Sequence, residues 1–167
     1  LDANFIKTNT SKNERLSYFY YSNLHFLYAR SFHLDKMPIS KKMDSIINIQ
    51  KKEYKTNWLN YSLYKKGLLA LTMYRFGDAA FAQKIISNLK ETAARNDEHG
   101  MYWIENKNGY YWYQSPIETQ ALLIEAFAEI EKDKTFVDEM KVWLLKQKQL
   151  NHWPTTKSTT EAIYALL

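Results

Sequence analysis

Two short phrases carry the residue types best suited to acid–base chemistry. Ser115-Pro116-Ile117-Glu118-Thr119-Gln120-Ala121-Leu122-Leu123 and Ser158-Thr159-Thr160-Glu161-Ala162-Ile163-Tyr164-Ala165-Leu166 each place a hydroxyl three residues ahead of a carboxylate, at the start of an apolar run. Two glutamates facing each other across a cavity would serve as acid and base in glycoside hydrolysis. The same spacing has a structural meaning. Serine at the N-cap and glutamate at N3 form a capping box, in which each side chain takes the other residue's backbone amide proton. That motif accounts for both copies, and Thr135 with Asp138 is a looser third. The capping reading is preferred, so no catalytic residue is assigned. A hydrogen bond from the Ser115 amide to the Glu118 carboxylate would separate the two readings.

Other chemistry is poorly supported. Of the four histidines (His25, His33, His99 and His152), no two stand four residues apart, and no His-Glu-x-x-His is present. Asp97, Glu98 and His99 are the only cluster resembling a ligand set, too small for a well-held metal. His25 reads as a half-buried helical residue, and His152 lies beside Trp153 in a loop. There is no Cys, hence no thiolate, disulfide or Cys–zinc site. Gly-x-Ser-x-Gly is absent, and four glycines supply no phosphate loop. Aspartate pairs for a diphosphate–magnesium site are missing too. Neither a metal nor a cofactor is expected.

The least routine feature is an aromatic loop. Tyr102, Trp103, Tyr110, Tyr111, Trp112 and Tyr113 fall between residues 96 and 115, and Trp153 occupies an equivalent loop later. The pattern suggests a hairpin with arms Met101–Glu105 and Tyr110–Tyr113, turned by Asn108-Gly109. One face would pack over helix ends. Trp103, Tyr111, Tyr113 and Trp153 are the candidate partner or ligand surface.

The elements that must position these residues are helices. Seven segments are expected: 13–32, 38–55, 61–76, 79–95, 116–131, 136–147, and one from about 159. Pro38 suits a first turn, Gly77 a stop and Asp78 an N-cap. The odd-numbered segments are apolar nearly all round. The even ones carry a single stripe, such as Phe136, Val137, Met140, Trp143 and Leu144. Two layers of helices, inner and outer, require that alternation. A superhelix of stacked hairpins makes a similar demand. The two phrases start about 43 residues apart, the length of a helical-hairpin repeat. The fold expected is all-α, a partial ring of hairpins, with the small β-hairpin inserted.

Size and charge narrow the partners. At 167 residues and 46 % hydrophobic content, one domain spanning 1–167 can fill a core. Net charge is +5 and uneven. Eight lysines stand against Asp44 and Glu53 from Lys36 to Lys66, while six acids stand against two lysines from Glu125 to Glu139. With only four arginines, scattered lysines read as solvated surface, and no nucleic-acid partner is expected. No run is long enough to span a membrane. Leu1 is not Met, and the apolar run Thr160–Leu167 has no stop signal, so a piece of a larger architecture is expected.

One resemblance is specific. Trp143-Leu144-Leu145-Lys146-Gln147-Lys148-Gln149, then Asn151-His152-Trp153-Pro154-Thr155-Thr156, then Thr159-Thr160-Glu161-Ala162-Ile163-Tyr164-Ala165-Leu166 resembles the thioester-domain region of bacterial alpha-2-macroglobulin family proteins. Gln114 to Phe127 is similar to the preceding inner helix of that domain. A weaker form of the phrase is shared with terpenoid cyclases and prenyltransferases of the same alpha/alpha toroid class. The resemblance implies an alpha/alpha toroid domain of a secreted or periplasmic protein, often lipid-anchored, that traps proteases: a bait region is cut, the molecule rearranges, and a Cys–Gln thioester captures the attacker. The family's Cys-Gly-Glu-Gln is not in this chain. Only the scaffold carries over, at Trp153, Thr155, Thr156, Thr160, Glu161, Ala162, Tyr164 and Leu166. The implied role is a non-catalytic scaffold, not an enzyme, whose partners are proteases met by the full-length protein and neighbouring domains of the same chain. The alternatives are a carbohydrate-active enzyme (glycoside hydrolase or polysaccharide lyase) using Glu118 and Glu161 in a groove lined by Trp103, Trp112 and Trp153, or a helical-repeat interaction module.

Overall fold

The computed structural model describes residues 1–10, 16–109, 115–150 and 153–167. It is mostly helical, with one two-stranded antiparallel hairpin, and it divides into two compact units, Leu1–Tyr61 and Ser62–Leu167. Each unit has its own core, so each is described by itself.

The first unit contains α1 (Asp2–Thr10), α2 (Leu16–Ser31), α3 (Lys41–Asn57) and a 3₁₀ turn at Trp58–Asn60. The expected 13–32 helix is present as α2. The helix before it was missed because Phe5 and Ile6 are too few to make a stripe. Phe5 is buried and stacks on Phe26 with ring centroids 4.6 Å apart. α3 buries Met43, Ile46, Ile47, Gln50 and Tyr54, one face of a helix. It does not begin at Pro38. Ser40 is the N-cap, its hydroxyl accepting the Met43 amide at 3.3 Å. Buried Arg30 holds the turn ahead of that cap. It pairs with Asp2 at 3.2 Å and donates to the carbonyls of His33 and Met37.

The second unit runs α4 (Leu63–Arg75), α5 (Ala79–Thr92), β1 (Ala94–Asn96), β2 (Gly100–Tyr102), α6 (Pro116–Ala126), α7 (Lys134–Leu150) and α8 (Thr156–Leu166). α4 packs on α5 and α6, and α6 on α7 and α8. The burial alternation expected from the sequence holds for four of these helices. Gly67 to Met73 is buried without a break in α4, and so is Ile117 to Ile124 in α6. α5 buries only Phe81, Ala82, Ile85, Ile86 and Leu89, while Met140, Trp143 and Leu144 mark the stripe of α7. Gly67 brings α4 close to α6, since a Cβ there would stand 2.9 Å from Leu123 Cδ2.

α8 departs from the alternation. It buries Ser158, Ala162 and Ala165, but leaves Ile163 at 48 % and Tyr164 at 65 % exposure. Its contacts are with α6 and, less extensively, α7, so one side stays wet. No ring closure is seen among the described residues.

Helix ends also differ from expectation. Asp78 sits at the N-cap of α5 without a side-chain capping bond. Asp133, not Thr135, caps α7: its carboxylate accepts the Thr135 amide at 3.0 Å and its carbonyl the Val137 amide. α6 ends in a π-helical turn, Phe127–Glu131, closed by the Lys132 amide on the Phe127 carbonyl with Lys132 in the left-handed region at φ 60°.

One antiparallel hairpin is present: β2 pairs with the upstream strand β1, Arg95 opposite Met101, with its turn at Asp97–His99. The expected second arm, Tyr110–Tyr113, lies outside the described residues. Asn96 supports the Asp97–His99 turn, its side-chain oxygen accepting the His99 amide at 2.6 Å. Gly100 then fixes the hairpin against α7. Its φ is +69°, and a Cβ there would overlap the Glu139 carbonyl oxygen. Gly100→Ala is expected to destabilise the protein by about 3 kcal/mol or more, combining left-handed strain with overpacking against backbone. Chemical denaturation with an unchanged m-value checks it.

Candidate functional site

The two repeated phrases meet in space, though not as capping boxes. Ser115 occupies the N-cap of α6 and its side chain makes no capping bond. The Glu118 carboxylate instead reaches across to α8, where Ser158 donates to Oε1 at 2.9 Å. Both are buried, Glu118 at 5 % and Ser158 at 1 % exposure. The second phrase is misaligned with its helix as well. Thr155 is the N-cap of α8, its hydroxyl oxygen accepting the Ser158 amide at 3.0 Å, which makes Ser158 the N3 residue. Thr155 Oγ1 and Ser158 Oγ are 2.8 Å apart. Since Ser158 gives its proton to Glu118, the Thr155 hydroxyl proton goes to Ser158. A directed chain of Thr155, Ser158 and Glu118 joins the two helices.

Glu161 lies one turn further along α8, half-buried, 3.6 Å from Lys157. Burial pushes its carboxyl above the usual range. The Lys157 charge opposes that shift, and the like charges of Glu118 and Glu125 on α6 add to it. Glu125 and Glu129 converge with Arg75 of α4, which is 2.7 Å from Glu125. Burial works against the Arg75 charge, but hydrogen bonds and Coulombic attraction from Glu129 and Glu125 together outweigh it and raise its pKa. Glu131 closes the row. Hydrogen bonds from Lys90, at 2.8 Å, and from Gln83 hold its carboxyl below the ordinary value against the effect of burial.

Gln120 of α6 is fully buried, and its amide nitrogen donates to the carbonyls of Met101 (2.9 Å) and Met140 (3.3 Å). It ties α6 to β2 and α7.

Of the four aromatics expected to form a surface, Trp103 and Trp153 are buried. Trp103 is 2 % exposed, its indole N–H donating to the Leu89 carbonyl at 2.9 Å and its ring tilted against Phe127. Trp153 is 9 % exposed, with the Lys148 ammonium 4.8 Å from its ring centre. Both indoles are packed inside, so neither offers a stacking face. The large apolar area of an indole makes burial the stronger outcome. Tyr111, Trp112, Tyr113 and His152 lie outside the described residues. Among the described residues no group of three metal-ligating side chains exists. His99 Nδ1 is 4.0 Å from Glu98, an exposed surface pair.

The shallow groove nearest these carboxylates, about 560 Å³, is lined by Arg75, Ile124, Glu125, Val137, Lys141 and Tyr164. Glu118 is not among its walls. The Arg75 guanidinium and the Lys141 ammonium on it are already engaged, the latter with the Leu166 carbonyl at 3.2 Å. Sequence reasoning missed the Glu118–Ser158 bond and the Arg75 cluster. A usable signal was present for the second: Glu125 and Glu129, one turn apart on an apolar helix, demand a cation from a neighbour. Comparison with protein-family models, curated proteins and solved structures finds no match to this chain.

Two outcomes follow. Ser158→Ala is expected to cost about 2 kcal/mol, because it strands a buried carboxyl, whereas Ser115→Ala costs near zero. Paired denaturation curves measure the contrast. For Glu161, a folded pKa above the unfolded one means stability gained as pH falls through the folded value. Glu161→Gln should therefore raise the melting temperature at pH 7, with the gain shrinking on acidification towards pH 4.5.

Proposed function

We propose that this chain is a non-catalytic scaffold of a macroglobulin-like protease-trap protein, its second unit a segment of an alpha/alpha toroid. The observation that carries the reading is the row α4, α6, α8, each touching the next, with α5 and α7 packed behind the first two. α4 and α6 without a wet side, and α5 and α7 with one dry stripe, suit a ring of hairpins, while α8 keeps one side exposed. The carboxylates suited to catalysis support it too, since Glu118 is committed to Ser158 and Glu125 to Arg75. With no Cys in the chain, a thioester cannot be formed from its residues. Its contribution would be shape and packing. Such a protein would act outside the cytoplasm, in the periplasm or beyond the cell, and among the described residues no helix is long and apolar enough to cross a membrane.

A second reading keeps one observation. Glu161 has the raised pKa of a general acid and lies in the electrostatic reach of Glu118. A carbohydrate-active enzyme would use that pair, but it needs an open cleft, and the Trp103 indole is turned into the core.

Incubating the full-length protein with endoproteases tests the proposal. A trap retains the protease and blocks its action on large protein substrates while sparing small peptide substrates. Cleavage should also change the native-gel mobility of the intact molecule. Unimpeded protease, or release of reducing ends from a polysaccharide panel that Glu161→Gln abolishes, would overturn it.

A further inference from the structure

Four cations of the second unit are held in ion pairs with acids of the same unit. Arg75 is paired with Glu125 and Glu129, Lys90 with Glu131, Arg95 with Glu139 and Lys157 with Glu161. The outer face of α3 in the first unit is different. Lys41, Lys42 and Lys52 are all exposed there, and no ion pair among the described residues involves them. Steps of three and four residues carry the row from Lys41 through Ser45 and Ile49 to Lys52, along about 16 Å of helix. Asp44 and Glu53 flank the row, Asp44 accepting a hydrogen bond from Asn48 at 3.1 Å. Ile49, in the middle of the row, is 69 % exposed, and Leu59 just beyond the helix is 60 % exposed.

Surface lysines alone are ordinary. A large apolar side chain held out among them is not explained by solubility, because α3 already has its own buried stripe. Lysine rather than arginine, with an aliphatic tip between the cations, matches the headgroup layer of a bilayer better than a nucleic acid. Ammonium groups meet lipid phosphates there, and the aliphatic group enters the acyl boundary. Nucleic-acid surfaces favour arginine for bidentate phosphate contacts, and this face has none.

We infer that the outer face of α3 is a peripheral docking surface for anionic lipid, with Lys41, Lys42 and Lys52 contacting headgroup phosphates and Ile49 inserting between them. The surface is independent of the toroid reading, since it lies wholly in the first unit.

Co-sedimentation of the full chain with vesicles tests it, comparing phosphatidylglycerol–phosphatidylcholine mixtures with phosphatidylcholine alone. Binding is expected only to the anionic vesicles and should weaken steeply with salt. Each lysine contributes about fivefold in partitioning, so K41E/K52E should reduce binding more than tenfold. Ile49→Ser should reduce it at constant net charge, which separates insertion from simple charge attraction. All these positions are exposed, and unchanged circular dichroism and melting confirm that the variants fold. Absence of binding to anionic vesicles, binding indifferent to K41E/K52E, or retention of an oligonucleotide in place of vesicles would each overturn the inference.

Discussion

α6 has no wet side, and the second unit is organised around that constraint. Eight consecutive residues, Ile117 to Ile124, are buried, and among them are a glutamate and a glutamine. A buried polar group without a partner costs several kcal/mol, so neighbouring elements must supply the partners. Ser158 of α8 satisfies Glu118, and Gln120 finds acceptors on β2 and α7. One turn beyond, Glu125 takes Arg75 from α4. Each apolar contact of α6 could be replaced by another at small cost. These polar contacts are directional, and they fix which helix sits where and in what register.

That constraint explains how the sequence could be read correctly in outline and wrongly in detail. Hydrophobic periodicity reports how many sides of a helix are dry, so the inner character of α4 and α6 and the stripes of α5 and α7 were visible in advance. Periodicity says nothing about which polar groups face each other. Ser115 and Glu118 have capping-box spacing, yet once α6 was buried its carboxylate had a better partner across the interface than along its own helix. The same holds at Ser158, where Thr155 was the real cap and the serine hydroxyl was left to bridge. The echo between the two phrases was informative for a different reason than spacing alone suggested. α6 and α8 pack against each other, so a polar residue repeated at their starts becomes a candidate for contact with its own counterpart's neighbourhood.

The β1–β2 hairpin is placed by tertiary contacts. Gly100 is the residue whose missing side chain lets β2 lie against α7, and Trp103 just beyond it enters the core with its N–H on the Leu89 carbonyl. Burying an indole with its N–H satisfied is a large stabilising contribution. The aromatic richness that suggested a ligand surface is, for Trp103 and Trp153, core material.

Polar side chains of the first unit pair by a different route. Asn9, Asn23 and Gln50 hydrogen-bond in a cluster between α1, α2 and α3, with Asn23 donating to Asn9 at 2.8 Å and Gln50 donating to Asn9 at 2.9 Å. Arg30 closes the other end through Asp2. Among the described residues Arg30–Asp2 is an ion pair inside this unit, and Lys41, Lys42 and Lys52 of α3 face outward. In the second unit Arg75, Lys90 and Arg95 pair with Glu125, Glu129, Glu131 and Glu139 along the helix seams. Part of the uneven charge seen in the sequence is thus engaged in packing there, while the row on α3 faces outward. A net charge of +5 averages over both, so a partner for this chain has to be argued from the face that displays charge.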